Sequence, residues 1–322
     1  MTTTIFSKLG YKIFTLLISV FFVFNTYVPP MSNDPIQTNT DTKAKLTAVL
    51  WGDSQVSNYM LKRVPYFDAA CEDLEKNVSG TADALIIAGD IAENGLLCEY
   101  EYVSSKLKNA KVDNFLFAVG NHDVRLRLYK STVRKFSKLS NELNGKQEFS
   151  SLTYRYDING YAFIVLGTDR TEFEESYFTD ETLNWVDENL KTATASGKPV
   201  FVICHQPLKL THGLPDTWNS PFDFAGSIGE QSDRLNEIMN KYENVFFITG
   251  HLHTGFGQYT YEKSGRVHSV NLPSLTINNK DGVCNDNGIG FVMEVYENRV
   301  AFRARNFAKG EYIPQNDIEI EL

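Results

Sequence analysis

The stretch NVFFITGHLH, residues 244–253, joins a short apolar run to two histidines, His251 and His253. The run has the length and the β-branched and aromatic composition of a buried strand. Because side chains alternate along an extended chain, two histidines one residue apart lie on the same side of it. Imidazole is a common metal ligand, so the pair indicates a metal site at the end of this strand. An ordinary polar sheet edge would give the same local pattern.

Four other apolar segments end in residues of the same kind. These segments are LTAVLW (46–51), ALIIAG (84–89), NFLFAVG (114–120) and PVFVIC (199–204). The metal-capable residues that follow them are, in order, Asp53 and Gln55; Asp90; Asn121, His122 and Asp123; and His205. In open α/β sheets, ligands bind at the carboxyl ends of the strands. The repeated placement therefore predicts that these side chains meet at one sheet edge.

The spacing of apolar residues predicts how the chain is organised. Helical stretches are predicted between the strands, near 63–77, 98–109, 123–143, 179–194 and 229–242. Strands that alternate with helices indicate parallel βαβ units. The dipeptide Asn159-Gly160 joins two further strands as a hairpin, and the part after residue 255 consists mostly of short strands. We therefore predict one α/β domain with mixed sheets over 45–322.

The donor types in the cluster indicate which ions it would hold. Carboxylate, amide and imidazole groups predominate, and this mixture suits Mn, Fe or Zn. Seven or eight donors are too many for one ion and fit two. Taken singly, each residue has an ordinary alternative: Asp53 or Asp90 as a helix N-cap, and His205 as a buried core residue. Taken together, they predict a two-metal site.

The order of the motifs GDSQ, GDIAENG, GNHD, HQP and GHLH resembles the calcineurin-like metallophosphoesterase superfamily, over residues 46 to about 255. The resemblance implies an α/β fold, a four-layer α-β-β-α sandwich of two mixed β-sheets flanked by helices. It also implies two divalent or trivalent transition-metal ions, Mn, Fe or Zn. These ions would hydrolyse phosphate esters through a hydroxide that bridges them.

The resemblance also assigns roles to individual residues. The first metal would be held by Asp53, Asp90 and His253. The second would be held by Asp90, Asn121, His205 and His251, so that Asp90 bridges the ions. His122 would face the substrate as a proton donor, with Asp123 orienting its ring. Gln55 stands where the family usually has histidine. Its amide oxygen is a weaker, neutral donor, so the departure affects the identity and the affinity of the first metal.

The resemblance leaves three functions open. A metal-dependent phosphodiesterase is favoured, and the alternatives are a phosphomonoesterase of the same fold and a non-catalytic binding module. A module that had lost catalysis would be expected to lose ligands or His122, whereas only Gln55 departs from the pattern. In the loop after His205, Trp218 could stack a base or pack the loop, and His212 could line the site or lie on the surface.

Charge limits the class of partner. The net charge is −9 and the sequence pI is about 5.3. Proteins that bind nucleic-acid polymers usually present a basic face, so no such polymer is expected as a partner. A small phosphorylated substrate remains compatible, because bound metal ions supply local positive charge.

The N-terminal segment predicts export. Lys8 and Lys12 precede the apolar run 13–24, which suits a secretory signal and is shorter than the roughly 20 residues of a membrane span. We assign 1–28 to a signal peptide or N-terminal membrane anchor and the polar stretch 29–44 to a linker. The protein is then secreted or anchored to the outer face of the membrane.

Four cysteines bear on the same question. Disulfides are permitted in exported proteins, and Cys71 and Cys98 fall near neighbouring helices of the first βαβ unit. They either pair or serve as small buried apolar residues, as Cys204 is expected to do within its strand.

Overall fold

The computed structural model describes residues 28, 30–57, 59, 62–145, 148–222 and 225–322. The segment predicted to be a signal peptide or anchor lies outside the described residues, apart from residue 28. Among the helices of the described ranges, none combines the length and apolar composition needed to cross a bilayer.

The helices and strands confirm the predicted alternation. The strands are β1 (Leu46–Trp51), β2 (Ala84–Ala88), β3 (Phe115–Ala118), β4 (Tyr154–Ile158), β5 (Tyr161–Leu166), β6 (Val200–Cys204), β7 (Val245–Thr249), β8 (Tyr261–Ser264), β9 (Val267–Asn271), β10 (Ile289–Val295), β11 (Arg299–Asn306), β12 (Glu311–Tyr312) and β13 (Ile318–Glu321). The α-helices are α1 (Val64–Lys76), α2 (Leu97–Leu107), α3 (Asn121–Val124), α4 (Tyr129–Asn144), α5 (Asp180–Thr194) and α6 (Ser232–Met239).

The strands form two mixed sheets. The first has the order β12-β11-β10-β1-β2-β3, with β13 also paired to β11. Its strands β1, β2 and β3 are parallel, whereas β10 is antiparallel to β1. The second sheet has the order β4-β5-β6-β7-β9-β8, and β5, β6, β7 and β9 are parallel.

Apolar side chains place the sheets face to face, with helices outside them. Along β1, Val49 and Trp51 pack with the helices α1 and α2, whereas Leu50 packs between the two sheets. This alternation is the two-residue period of an extended strand. Leu183 of α5 and Leu235 of α6 belong to a third cluster on the outer face of the second sheet. The predicted four-layer sandwich is therefore confirmed.

The polar stretch before β1 does not behave as the linker predicted from its composition. Ile36 is fully buried, and its backbone N–H donates to the Asn77 carbonyl at 2.6 Å. The buried guanidinium of Arg305 pairs with Asp73 and donates to the Asp34 carbonyl at 2.7 Å. Ile36 and the buried Arg305 thus help to fix this stretch to the domain.

The helix predicted over 123–143 is two helices. The short α3 ends at Val124, and the chain continues through four residues before α4 begins at Tyr129. Leu126 in this interval has a left-handed φ of 57°, which an α-helix does not accommodate. Its side chain is 80% exposed, and that of Leu128 is 81% exposed. The break places Leu126 and Leu128, which lie within the predicted helix, in solvent.

Of the two alternatives for Cys71 and Cys98, the structure shows no disulfide, since all four cysteines are free. Cys71 lies on the buried face of α1, where burial raises the pKa of its thiol. Cys98 is exposed. Cys204 is buried in β6, as expected.

Candidate metal centre

The predicted ligands lie at the carboxyl ends of five strands and meet at one edge of the sandwich. Asp53 follows β1, Asp90 follows β2, Asn121 follows β3, His205 follows β6, and His251 and His253 follow β7. Three of these ligands come from the first sheet and three from the second. The ligand atoms of Asp53, Asp90 and His205 all lie within 4.8 Å of one another.

One group of donors surrounds the Nε2 atom of His205. Asn121 Oδ1 lies 3.2 Å from it, Asp90 Oδ2 lies 3.3 Å from it, and His251 Nδ1 lies 3.2 Å from it. The opposite ring nitrogen, Nδ1, contacts the Ala88 carbonyl at 2.8 Å and must donate its proton there. In a neutral ring, the Nε2 lone pair would face oxygen lone pairs of Asp90 and Asn121 and a ring nitrogen of His251. A cation satisfies such an arrangement, and these donors match those of Mn, Fe or Zn sites.

A second group surrounds Asp53. His253 Nε2 lies 3.0 Å from Asp53 Oδ1, and the backbone N–H of His251 donates to Asp53 Oδ2 at 3.0 Å. Gln55 lies beside Asp90, with 3.2 Å between its amide nitrogen and Asp90 Oδ2. Its amide oxygen is buried and has no hydrogen-bond partner in the described part of the chain. An unpaired buried oxygen at this place is what a further ligand would show.

The backbone holds most of these residues in an uncommon conformation. Asp53, Gln55, Asp90, His251 and His253 all have φ between 33° and 74°, in the left-handed region. A residue other than glycine seldom adopts such angles, and the strain is about 1–3 kcal/mol for each. Backbone strain of this kind concentrates at functional sites. Its presence at five of the seven predicted ligands agrees with the site placed here from the sequence.

Two glycines permit the ligands to approach the chain closely. A Cβ on Gly120 would lie 2.2 Å from Asp90 Oδ1, and one on Gly89 would lie 2.4 Å from His205 Nδ1. Gly89 also has a left-handed φ of 91°. Any larger residue would displace Asp90 or His205, which explains why both motifs contain glycine before the ligand.

The electrostatics of the site favour positive charge within it. Burial opposes ionisation of Asp90, but the neighbouring His205 holds the pKa of that carboxyl well below its usual range. Burial lowers the pKa of His205, yet Asp90 and Asp53 outweigh it and raise this pKa to about 9. Burial and His205 together hold the pKa of His251 well below its usual value. The carboxylates therefore stabilise a cation at this place, which is a proton in the absence of metal.

His122 projects beside the ligands without joining them. Its Nε2 atom lies 3.9 Å from Asp90 Oδ2. Its Nδ1 atom contacts the Glu93 carbonyl at 2.8 Å, and Arg125 Nη2 lies 2.8 Å from the same nitrogen. Glu93 is in turn paired with Arg63. Because Arg125 can only donate, its hydrogen bond to Nδ1 places the ring proton on Nε2, which faces the edge of the sandwich where the predicted ligands meet (the metal edge).

The prediction that Asp123 orients the His122 ring is not supported by its contacts. The buried Asp123 carboxylate accepts hydrogen bonds from the backbone N–H groups of Ile91, Ala92 and Gly120 at 2.9–3.1 Å. The Tyr100 hydroxyl donates to it at 2.8 Å. Asp123 therefore ties the loop after β2 to the loop after β3. Burial and the nearby Asp90 raise its pKa to about 6.

The Asn121 amide is oriented by a residue that the sequence did not single out. Asn121 Nδ2 donates to Glu174 Oε2 at 2.7 Å, which leaves Asn121 Oδ1 facing His205. Arg125 Nη1 donates to the other carboxylate oxygen of Glu174 at 3.1 Å. Glu174 lies in the loop between β5 and α5, where no motif marks it.

Trp218 covers one of the histidines. Its indole ring stacks on His251 with 4.5 Å between ring centroids and 25° between planes. A Cβ on Gly226 would lie 2.8 Å from Trp218 Cδ2, so Gly226 backs the indole. The loop after His205 thus packs Trp218 onto a metal ligand, and packing accounts for this residue without a stacked base. His212 of the same loop is fully buried, and its Nδ1 contacts the Tyr259 carbonyl at 2.7 Å.

Comparison with known families agrees with this geometry. The family model for calcineurin-like phosphoesterases matches residues 49–255, which include every predicted ligand. A probable cyclic nucleotide phosphodiesterase of Fibrobacter succinogenes is 25% identical over 172 residues, covering 53% of this chain and 58% of that protein. A probable glycerophosphodiester phosphodiesterase of Arcobacter nitrofigilis is 26% identical over 187 residues, covering 55% of this chain and 59% of that protein. The chain thus spans less than two thirds of the length of these curated relatives.

Solved structures share the fold. A dimetal phosphatase from Danio rerio superposes with a TM-score of 0.59 at 14% identity, covering 86% of this chain and 99% of that one. Identity at this level shows the architecture alone.

Proposed function

The chain belongs to the calcineurin-like phosphoesterase family, and we propose that it hydrolyses phosphodiesters at a centre holding two divalent or trivalent transition-metal ions. The observation that carries the proposal is the convergence of potential ligand atoms of Asp90, Asn121 and His251 on His205 Nε2. A bound cation would stabilise such a buried group of oxygen and nitrogen atoms.

The donors divide into two sets that share one residue. Asp53, Gln55 and His253 would hold one ion, and Asn121, His205 and His251 would hold the other. Asp90 lies between the sets, since its Oδ2 atom approaches both Gln55 and His205. Asp90 is therefore proposed as the bridging ligand. Mn, Fe or Zn would suit these donors.

When bound, a pair of ions neutralises charge on the phosphate and lowers the pKa of a water molecule. The protein then has to supply a proton to the departing oxygen. His122 is placed to do this, because its Nε2 faces the metal edge while Arg125 donates to its Nδ1. Arg125 lies against the same ring and places a positive charge near the phosphate.

Phosphodiesters are proposed over monoesters because both curated relatives described above carry phosphodiesterase names. The departing alkoxide or nucleoside oxygen of a natural ester needs a proton, and His122 would provide it. The substrate is proposed to be small, because a net charge of −9 disfavours the binding of a nucleic-acid polymer.

Export is proposed as well. The basic residues and apolar run before residue 28 support secretion or anchoring to the outer face of the membrane. Fractionation of cells that express the full chain would test this, and an entirely cytoplasmic distribution would contradict it.

A substrate screen on the full chain tests the proposed reaction. The substrates are an aryl diester, a cyclic nucleotide, a glycerophosphodiester and an aryl monoester, each with Mn, Fe, Zn or Mg. We expect turnover of diesters with the transition metals and slower turnover of the monoester. Faster turnover of the monoester would indicate a phosphomonoesterase of the same fold. Absence of turnover with every metal would contradict the enzymatic proposal.

The role of His122 has a test of its own. A positioned general acid contributes about 10²–10⁴ in rate, so His122→Ala is expected to lose this factor on alkyl or nucleoside esters. Aryl esters should lose less, because their leaving group departs without a proton. His268→Ala is the matched control, since His268 lies on β9 against Tyr261 and Phe246. An equal loss on both substrate kinds would show that His122 positions the phosphate instead.

A further inference from the structure

A cationic cavity lies beside the metal edge and outside the proposed active site. Its volume is about 390 Å³, and it is bounded by the start of α4 and by the loop between β2 and α2. Four of its eight lining residues are cationic: Arg127, Arg134, Lys135 and Lys138. The other four lining residues are uncharged. In a chain with a net charge of −9, such a concentration of positive charge is local to this face.

Three of these four cations form no ion pair within the described ranges. No carboxylate pairs with Arg127, Arg134 or Lys135 there, whereas Lys138 pairs with glutamates. Lys135 is only 7% exposed, and its Nζ donates to the Gly95 carbonyl. Burial and Arg127 lower the pKa of Lys135, against the opposing effect of the nearby Asp123 and Glu99 carboxylates. An anion entering the cavity would relieve both the repulsion and the lost hydration.

Exposed apolar side chains border the same cavity. Leu97 lines it and is 45% exposed, and Leu126 and Leu128 flank Arg127 at 80% and 81% exposure. Phe173 is 60% exposed and adjoins this edge, because Arg125 lies over its ring at 5.7 Å. The helix break after Val124 is what presents Leu126 and Leu128 to solvent. Apolar side chains interleaved with cations are the composition of a membrane-surface contact.

We propose that this face docks onto an anionic phospholipid surface, with a headgroup phosphate in the cavity and Leu126 and Leu128 in the lipid interface. The cavity alone would fit a soluble phosphate equally well. The exposed leucines favour the lipid, because a soluble anion would leave their apolar surface in water, whereas a bilayer buries it. Each cation near an anionic membrane adds to the attraction.

The placement of this face relative to the metal edge follows from the chain path. The interval 125–128 directly follows α3, which begins at the ligand Asn121. Arg127 Nε donates to the Asn94 carbonyl at 2.7 Å, in the loop that also supplies Glu93 to His122. Docking would therefore bring the metal edge near the membrane surface. The proposal does not depend on hydrolysis and stands or falls separately from it.

Local insertion can be measured with a tryptophan reporter in the full chain. Leu128→Trp places the reporter on the proposed face. Ser196→Trp places it at an exposed position between α5 and β6, at the opposite edge of the second sheet. Vesicles contain phosphatidylcholine alone or with phosphatidylglycerol, and brominated acyl chains quench a tryptophan that enters the bilayer. Both reporters share the same N-terminal segment and the same three native tryptophans, so these contributions cancel in the comparison.

We expect quenching of Leu128→Trp on anionic vesicles and little on neutral ones, with Ser196→Trp unaffected on both. When Arg127→Gln and Arg134→Gln are added to the Leu128→Trp protein, its affinity for anionic vesicles should weaken by an order of magnitude or more, at roughly 1 kcal/mol for each cation removed. Lys191→Gln with Lys198→Gln removes the same charge at the opposite edge and should leave the affinity unchanged. Arg134→Gln alone is the variant least expected to disturb folding, because this exposed side chain has no ion pair in the described chain.

Three results would overturn the proposal. Equal quenching of the two reporters would show that the contact is not local to this face. Undiminished affinity of the arginine variants would show that the cavity takes no part. Binding of inorganic phosphate, seen by ³¹P NMR and lost in Arg134→Gln, without quenching on any vesicle, would reduce the cavity to a soluble-anion site.

Discussion

Glu174→Ala should weaken one metal site and spare the other. The substitution removes the carboxylate that accepts from Asn121 Nδ2 at 2.7 Å and from Arg125 at 3.1 Å. Without it, the Asn121 amide is free to turn its oxygen away from His205. The site that contains Asp53 and His253 has no such contact with Glu174 and should keep its affinity.

The size of the loss follows from the strength of that contact. A hydrogen bond to a charged group is worth about 1.5–3 kcal/mol, and about 1.4 kcal/mol corresponds to a factor of ten. Groups that orient metal ligands typically contribute about 10–100-fold in affinity or activity. The Glu174 side chain is 36% exposed, so water screens part of the interaction. We therefore expect a loss near the lower limit, about tenfold. Glu174→Gln keeps an acceptor oxygen and should lose less.

Competition with a fluorescent chelator, on the metal-stripped full chain, measures both affinities. Glu175→Ala is the matched control, since the Glu175 carboxylate lies against Gly229 and not against Asn121. Unchanged affinity at both sites in Glu174→Ala would refute the orienting role. A loss of equal size in Glu175→Ala would show that the loop acts as a whole.

Further predictions concern the ligands and the loop that covers them. Gln55→His should tighten the site that contains Asp53, because imidazole is a better donor than a neutral amide, and the same chelator competition measures this. Trp218→Ala should loosen His251 and lower affinity at its site by roughly tenfold, at the low end for groups that orient ligands. Burial lowers the pKa of His212, so its contribution to stability is complete above the ordinary imidazole pKa of 6.5 and is lost as the pH falls below it. His212→Gln should flatten this decline, as followed by urea unfolding between pH 7.5 and 5; an unchanged slope would contradict it.

The convergence of the proposed ligands could be predicted because each has a local signal. An apolar strand that ends in Asp, Asn or His is visible in the sequence, and parallel strands bring such ends to one edge. Glu174 had no comparable signal, because its contact with Asn121 spans 53 residues and lies in an irregular loop. The role assigned to Asp123 was wrong for a related reason. Its partners include backbone amides 31 and 32 residues away, which sequence adjacency to His122 does not indicate.

The fold shows the same division. Strands and helices were predictable from periodicity, whereas the antiparallel pairing of β10 with β1 joins residues far apart in the chain. The stretch before β1 was misjudged because its polar composition concealed Ile36, which inserts into the core. The break after α3 was missed because residues 125–128 contain no glycine or proline to mark the end of a helix.

Two ions that share Asp90 are proposed to be needed for hydrolysis. The direct measurement is the rate of aryl diester hydrolysis by the metal-stripped full chain as Mn is added, with bound Mn per chain determined in parallel. We predict that activity rises with the second equivalent, and that Asp90→Ala, verified as folded, retains neither tightly bound ion nor activity. Full activity at one ion per chain, or two ions retained by Asp90→Ala, would contradict the account.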